Sequence, residues 1–137
     1  MNWKSAALLL IAVSIVLAGC TSSNNGSSTP EAKTTAEVHL RALDRNLIVV
    51  DKFQEFPKGT NAFSALSQMA QLQISLQANG KKVTGVNELH STSDRQMGTF
   101  VNGEEFTQGI DSLTLNQDIT IEFRLPPAAT AGAVPGQ

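Results

Sequence analysis

Seven residues near the carboxyl end, Ile119-Thr120-Ile121-Glu122-Phe123-Arg124-Leu125, alternate apolar and polar without a slip. A period of two marks a β-strand with one face on a core and the other in water. Ile, Phe and Thr suit such a pleated, half-buried surface. Upstream, Phe100-Val101-Asn102-Gly103-Glu104-Glu105-Phe106 reads as a hairpin, because Asn-Gly tolerates the positive φ values of a type I′ turn. These pieces predict the centre of a small sheet, with everything before them covering it or tethering it.

A chain of 137 residues has room for one domain. Ten Lys and Arg stand against twelve Asp and Glu, a net charge of −2. Nothing there attracts a polyanion, which argues against nucleic acid as a partner. The single cysteine, Cys20, excludes an internal disulfide and any multi-cysteine zinc site. The domain therefore depends on its core alone.

The first residues explain where that cysteine belongs. Met1 to Lys4 is a short basic start, and Ala6 to Val16 is an apolar run of the length of a secretory h-region. Leu17-Ala18-Gly19-Cys20 follows. These four positions resemble the lipobox of bacterial lipoproteins. The resemblance implies cleavage before Cys20, diacylglyceryl transfer to its thiol and palmitate-type acylation. Two acyl chains hold far more firmly than one, at roughly 0.8 kcal/mol per buried methylene. The expected location is the cell membrane or outer membrane, with the domain facing the periplasm or the exterior. Thr21, where an Asp favours inner-membrane retention, mildly favours the outer membrane.

Thr21 to Thr35 has no apolar residue larger than Ala, so it cannot offset its own ordering entropy. It reads as a flexible linker with an end-to-end distance of about 20–25 Å. The expected layout is thus a signal peptide over 1–19, a lipidated linker over 20–35, a domain over 36–126 and a disordered small-residue tail over 127–137.

Within the domain, Val38, Leu40 and Ala42 alternate with Glu37, His39 and Arg41, which predicts a first strand. Asp44-Arg45-Asn46 is a turn. Leu47 to Phe56 is a second strand, and its unbroken apolar start predicts burial on both sides there. Pro57 to Asn61 breaks the strand, and Thr60 or Asn61 can cap a helix over 61–72. Phe63, Leu66, Met69 and Ala70 share one face of that helix, which lies on the sheet. Ile74 to Leu76 and Lys81 to Leu89 are further strands around the Asn79-Gly80 turn. His90 to Gln96 is polar loop, and Pro126-Pro127 ends the last strand.

Hairpin, helix, then more strands is the order of a β-grasp, an α+β fold with a mixed sheet wrapped over one helix. Gly59-Thr60-Asn61-Ala62-Phe63-Ser64-Ala65-Leu66 resembles the helix-opening Gly-Thr segment of the transcobalamin C-terminal-like β-grasp domains. Phe100 to Glu104, followed by Leu113 to Arg124, resembles that family's closing pattern. The resemblance covers about Val38 to Leu125. Many members are lipoproteins or exported proteins classed as domains of unknown function, and the vitamin carriers cover one face of cobalamin with this domain. Where members carry bulky aromatics before the Val-Asn-Gly turn, this chain has Met97, Gly98 and Thr99, with Phe100 alone aromatic. After residue 19 it has no Trp and no Tyr, so a large flat ligand finds few aromatic faces.

Catalytic patterns are scarce. His39 falls on the polar parity of its strand and reads as solvated. His90, Ser91 and Asp94 sit in one loop, but a triad is a spatial arrangement and adjacency gives it no support. Glu104 and Glu105 point to opposite faces of a strand. Glu122 and Arg124 share one face and pair across water. The expected protein is no enzyme and carries no cofactor or metal. It is a membrane-anchored binding module that uses the Met97–Phe106 hairpin, the His90–Gln96 loop and an open sheet edge, with Met97, Phe100, Asn102, Glu104 and Phe106 as candidate contacts for a ligand or partner. The alternative is small-molecule capture, a corrinoid among the candidates, for an uptake system.

Overall fold

A computed structural model describes residues 32–128. The signal peptide, Cys20, the linker through residue 31 and the tail from residue 129 lie outside the described residues. β1 (Thr35–Asp44) and β2 (Leu47–Pro57) form an antiparallel hairpin. Arg45 and Asn46 both take positive φ, 51° and 68°, as a type I′ turn requires. A register shift at Ala42/Leu43 leaves Val49 as the extra residue of a bulge.

β8 (Ile119–Leu125) lies on the other side of β1 and runs parallel to it. β6 (Gly98–Val101) and β7 (Glu104–Glu105) extend the sheet from β8, giving the order β2-β1-β8-β6-β7. The final strand is thus central, as its alternation predicts. Ile119, Ile121, Phe123 and Leu125 are buried on its inner face, facing the same core as Ala36, Val38, Leu40 and Ala42.

Helix α1 (Ala62–Met69) covers that face. Asn61 is its N-cap and accepts from the Phe63 amide at 3.0 Å. The helix is shorter than the expected 61–72, because Ala70 is already extended and the chain turns into β3. The buried stripe is Ala62, Ala65, Leu66 and Met69. Phe63 is only half buried and lies under the Lys81 ammonium, 4.3 Å from its ring centre.

β3 (Leu72–Gln77), β4 (Gly80–Val86) and β5 (Leu89–His90) form a second, three-stranded sheet, so the mixed sheet and helix are joined by a further layer. Val83 and Val86 join the core from β4, Met97 from the segment before β6, and Ile110 from a short 3₁₀ turn over Ile110–Ser112. The result is an α+β, β-grasp-like fold.

Burial on both sides at the start of β2 is corrected. Leu47 is 72% exposed, and Ile48 and Val49 are about half exposed; only Val50 is buried. β2 has β1 on one side and no strand on the other. The expectation of a Glu122–Arg124 pair across water is also corrected. Glu122 is only 7% exposed, because Arg124 at 3.3 Å and Arg41 at 3.7 Å close over it.

Candidate functional site

Three surfaces stand out. The most enclosed is a cleft of about 330 Å³ at the seam of the two sheets. One wall is the β3–β4 hairpin, with Gln77, Asn79, Lys81 and Lys82; the other is formed by Gln96–Thr99 and Glu105–Gly109. A close backbone approach fixes the walls. A side chain added at Gly109 would meet the Gly80 Cα at 2.6 Å and the Asn79 carbonyl at 2.7 Å. The Gly109 amide donates to that carbonyl at 3.0 Å, and Asn79 Nδ2 donates to the Thr107 carbonyl at 2.6 Å. The Lys81 amide donates to Asp111 Oδ1 at 2.8 Å. Gly80 has φ +115°, so glycine is needed there twice over, for the backbone angle and for the space.

The second surface is the open edge of the five-stranded sheet. β2 runs eleven residues along it and exposes Leu47, Ile48, Val49 and Phe53. Beside its start, Val49 and Val50 face Val86 to Leu89 across an open groove of about 490 Å³. The opposite edge, β7, is two residues long.

The third surface is the sheet's outer face. The Arg124 guanidinium sits 4.0 Å above the Phe100 ring and reaches Glu122. His39 stacks on Phe53 with ring centres 3.8 Å apart and hydrogen-bonds Asp51. It is therefore a partnered side chain and not merely a solvated one. At one end of this face the Glu37 amide and the Lys33 ammonium donate to Asp118, at 2.8 and 3.2 Å. The amide first, then Lys33, hold the Asp118 carboxyl below its ordinary pKa. Lys33, between Asp118 and Glu55, is raised by both, Asp118 the more.

The five candidate contacts do not form one site. Met97 and Phe106 line the cleft, Met97 only 1% exposed and mostly core. Phe100 lies on the outer face. Asn102, at φ 50°, ties its turn to β8: its Oδ1 accepts from the Thr120 amide at 2.9 Å. Glu104 is exposed and pairs with Val101 in the ladder. The amides of Gln77, Asn79, Gln96 and Gln108 around the cleft carried no sequence signal beyond the Asn79-Gly80 turn. Arg95, read as loop, is a clamp. It pairs with Asp44 and donates from Nε to the Pro126 carbonyl at 2.7 Å. In the same loop the Thr92 hydroxyl donates to Asp94 at 2.7 Å, the main cause of that carboxyl's lowered pKa. Among the described residues, no group of three or more His, Cys, Asp or Glu could hold a metal ion.

No protein-family model matches the chain, and no curated protein does. Solved structures match it in fold. Haptocorrin, in complex with Cbi, has a TM-score of 0.54 at 14% identity, over 69% of this chain. This chain spans only 26% of the haptocorrin chain. A "putative metal binding protein" from Ruminococcus gnavus also has a TM-score of 0.54, at 13% identity, over 66% of this chain and 95% of its own. At these identities the likeness is one of fold. It agrees at that level with the resemblance to transcobalamin-like domains.

Proposed function

We propose that this chain is a lipid-anchored, non-catalytic module at the cell envelope that binds an extended segment of a protein partner along β2. One observation carries the reading: an eleven-residue edge strand with Leu47, Ile48, Val49 and Phe53 left in solvent. Long apolar edges invite strand addition, and folds that avoid it shorten or charge their edges. The chain blunts its other sheet edge to two residues and leaves this one long. Along the strand Asp51 is held by His39, Glu55 by Lys33 at 3.3 Å and Lys52 by the Met69 carbonyl at 2.7 Å, while the groove residue Glu88 stands exposed beside its start. The partner is then an apolar strand with a Lys or Arg where it passes Glu88. Leu17-Ala18-Gly19-Cys20 supports the anchor.

A photo-crosslinking residue placed at Leu47 in the native envelope tests this, with the same residue at Glu104 as control. The expected result is a partner captured at position 47 and not at 104. Capture at neither position, or equally at both, removes the reading. For the anchor, palmitate label should enter the wild type and not Cys20→Ala.

The second reading is capture of a small molecule. The fold it shares with haptocorrin, a protein solved with Cbi, favours it, as does the enclosed cleft. A thermal shift or an absorption change with cobalamin would support a corrinoid; neither, at millimolar ligand, would remove it.

A further inference from the structure

We propose that the seam cleft binds a neutral, hydroxyl-rich ligand the size of one or two sugar rings. This rests on the small-molecule reading and specifies its ligand. The lining chemistry carries it. Gln77, Asn79, Gln96 and Gln108 bring four side-chain amides to one opening. Each amide offers a carbonyl acceptor and an NH₂ donor, the pair that a sugar hydroxyl needs. Asn79 gives its Nδ2 to the Thr107 carbonyl and Gln96 its Nε2 to the Thr92 carbonyl, which holds both amides in place and leaves their acceptor oxygens unused among the described residues. Gln77 and Gln108 make no side-chain hydrogen bond among the described residues. Phe106 supplies the apolar contact that a ring's C–H surface requires, and the buried Met97 backs that wall from the core.

Charge points the same way. Lys81 is engaged with the Phe63 ring, and the lining carries Glu105 as well as Lys82. A phosphate or carboxylate would meet that glutamate as well as Lys82. Size excludes more. About 330 Å³ is near the lower bound of ligand pockets, and one aromatic ring is a poor cradle for a broad planar macrocycle. The Gly80–Gly109 contact holds both walls before any ligand arrives, so little ordering cost falls on binding.

The test is ¹⁵N-labelled full chain in detergent, titrated separately with N,N′-diacetylchitobiose, maltose, inorganic phosphate and cobalamin. The expected result is that at least one disaccharide shifts the Gln77, Asn79, Gln96 and Gln108 side-chain amide signals. The double variant Gln77→Ala/Gln108→Ala should then bind about ten-fold more weakly, the effect of losing one or two ordinary hydrogen bonds, with an unchanged Tm. If cobalamin shifts these signals and neither sugar does, the ligand class is wrong while small-molecule capture survives. If phosphate is the strongest ligand, or the double variant binds sugar as tightly as wild type, the proposal is overturned. If no probe shifts any signal, both the ligand class and the capture reading fall.

Discussion

β8 and β2 are alike in composition and opposite in circumstance. Each is rich in large apolar residues and each pairs with β1, on its two sides. β8 has a second neighbour in β6, and even its outward Glu122 is covered. β2 has no second neighbour, and its most apolar run, Leu47 to Val49, is exposed. Apolar content therefore marks a strand without saying which position in the sheet that strand takes. Position follows from the parallel pairing of β1 with β8, a contact between the two ends of the domain.

The contrast can be broken most readily by truncation. Phe123→Ala should cost about 3–5 kcal/mol in denaturant unfolding, the cost of emptying a fully buried aromatic site. Leu47→Ala should stay within about 0.5 kcal/mol, as for a surface change. Comparable losses at the two positions would mean that β2 is covered in solution. Next comes the outer face of β8. Glu122→Gln removes the charge that Arg41 and Arg124 share, and should cost about 1 kcal/mol. Both arginines keep a route to water, so the larger loss of a sealed ion pair does not apply. A cost near zero would put Glu122 in water after all.

On the inner side of β2, Lys52 places its ammonium on the carbonyl of Met69, at the end of α1. Lys52→Met should cost about 0.3–1 kcal/mol, less at high salt, since a cation there offsets the helix dipole. The smallest effect is at the entry to β8. The folded-state pKa of Asp118 is lowered, so its contribution is complete above the ordinary carboxylate range. It is lost as pH falls through the lowered value. Asp118→Asn should flatten the acid limb of the stability profile and leave neutral pH nearly unchanged. An unaltered acid limb would show that the Glu37 and Lys33 contacts do not persist.

Local chemistry made much of this legible. The alternation of β8, the Asn102-Gly103 and Asn79-Gly80 turns and the Asn61 cap all depend on a few neighbouring residues. The helix end was less so, because Ala70 is a good helix former that becomes extended only where the chain must enter β3. Arg95 as a clamp on Asp44 and Pro126, the cover over Glu122 and the Gly80–Gly109 contact all join residues far apart in the chain. The cleft is the extreme case. Its four amides come from three separate segments, and apart from Asn79 in its turn none differs in local pattern from any surface Gln.

The parallel pairing of β1 and β8 also has a mechanical consequence. The chain enters this pair at Thr35 and leaves it at Leu125, at opposite ends of the ladder. Tension between those points slides the two strands lengthwise, so the rungs from Val38–Ile119 to Asp44–Leu125 share the load and rupture together. Tension across the β1–β2 hairpin would instead open one rung at a time. A domain tugged through its two termini is thus loaded along its strongest axis, and single-molecule pulling should record a higher rupture force along that axis than across the hairpin.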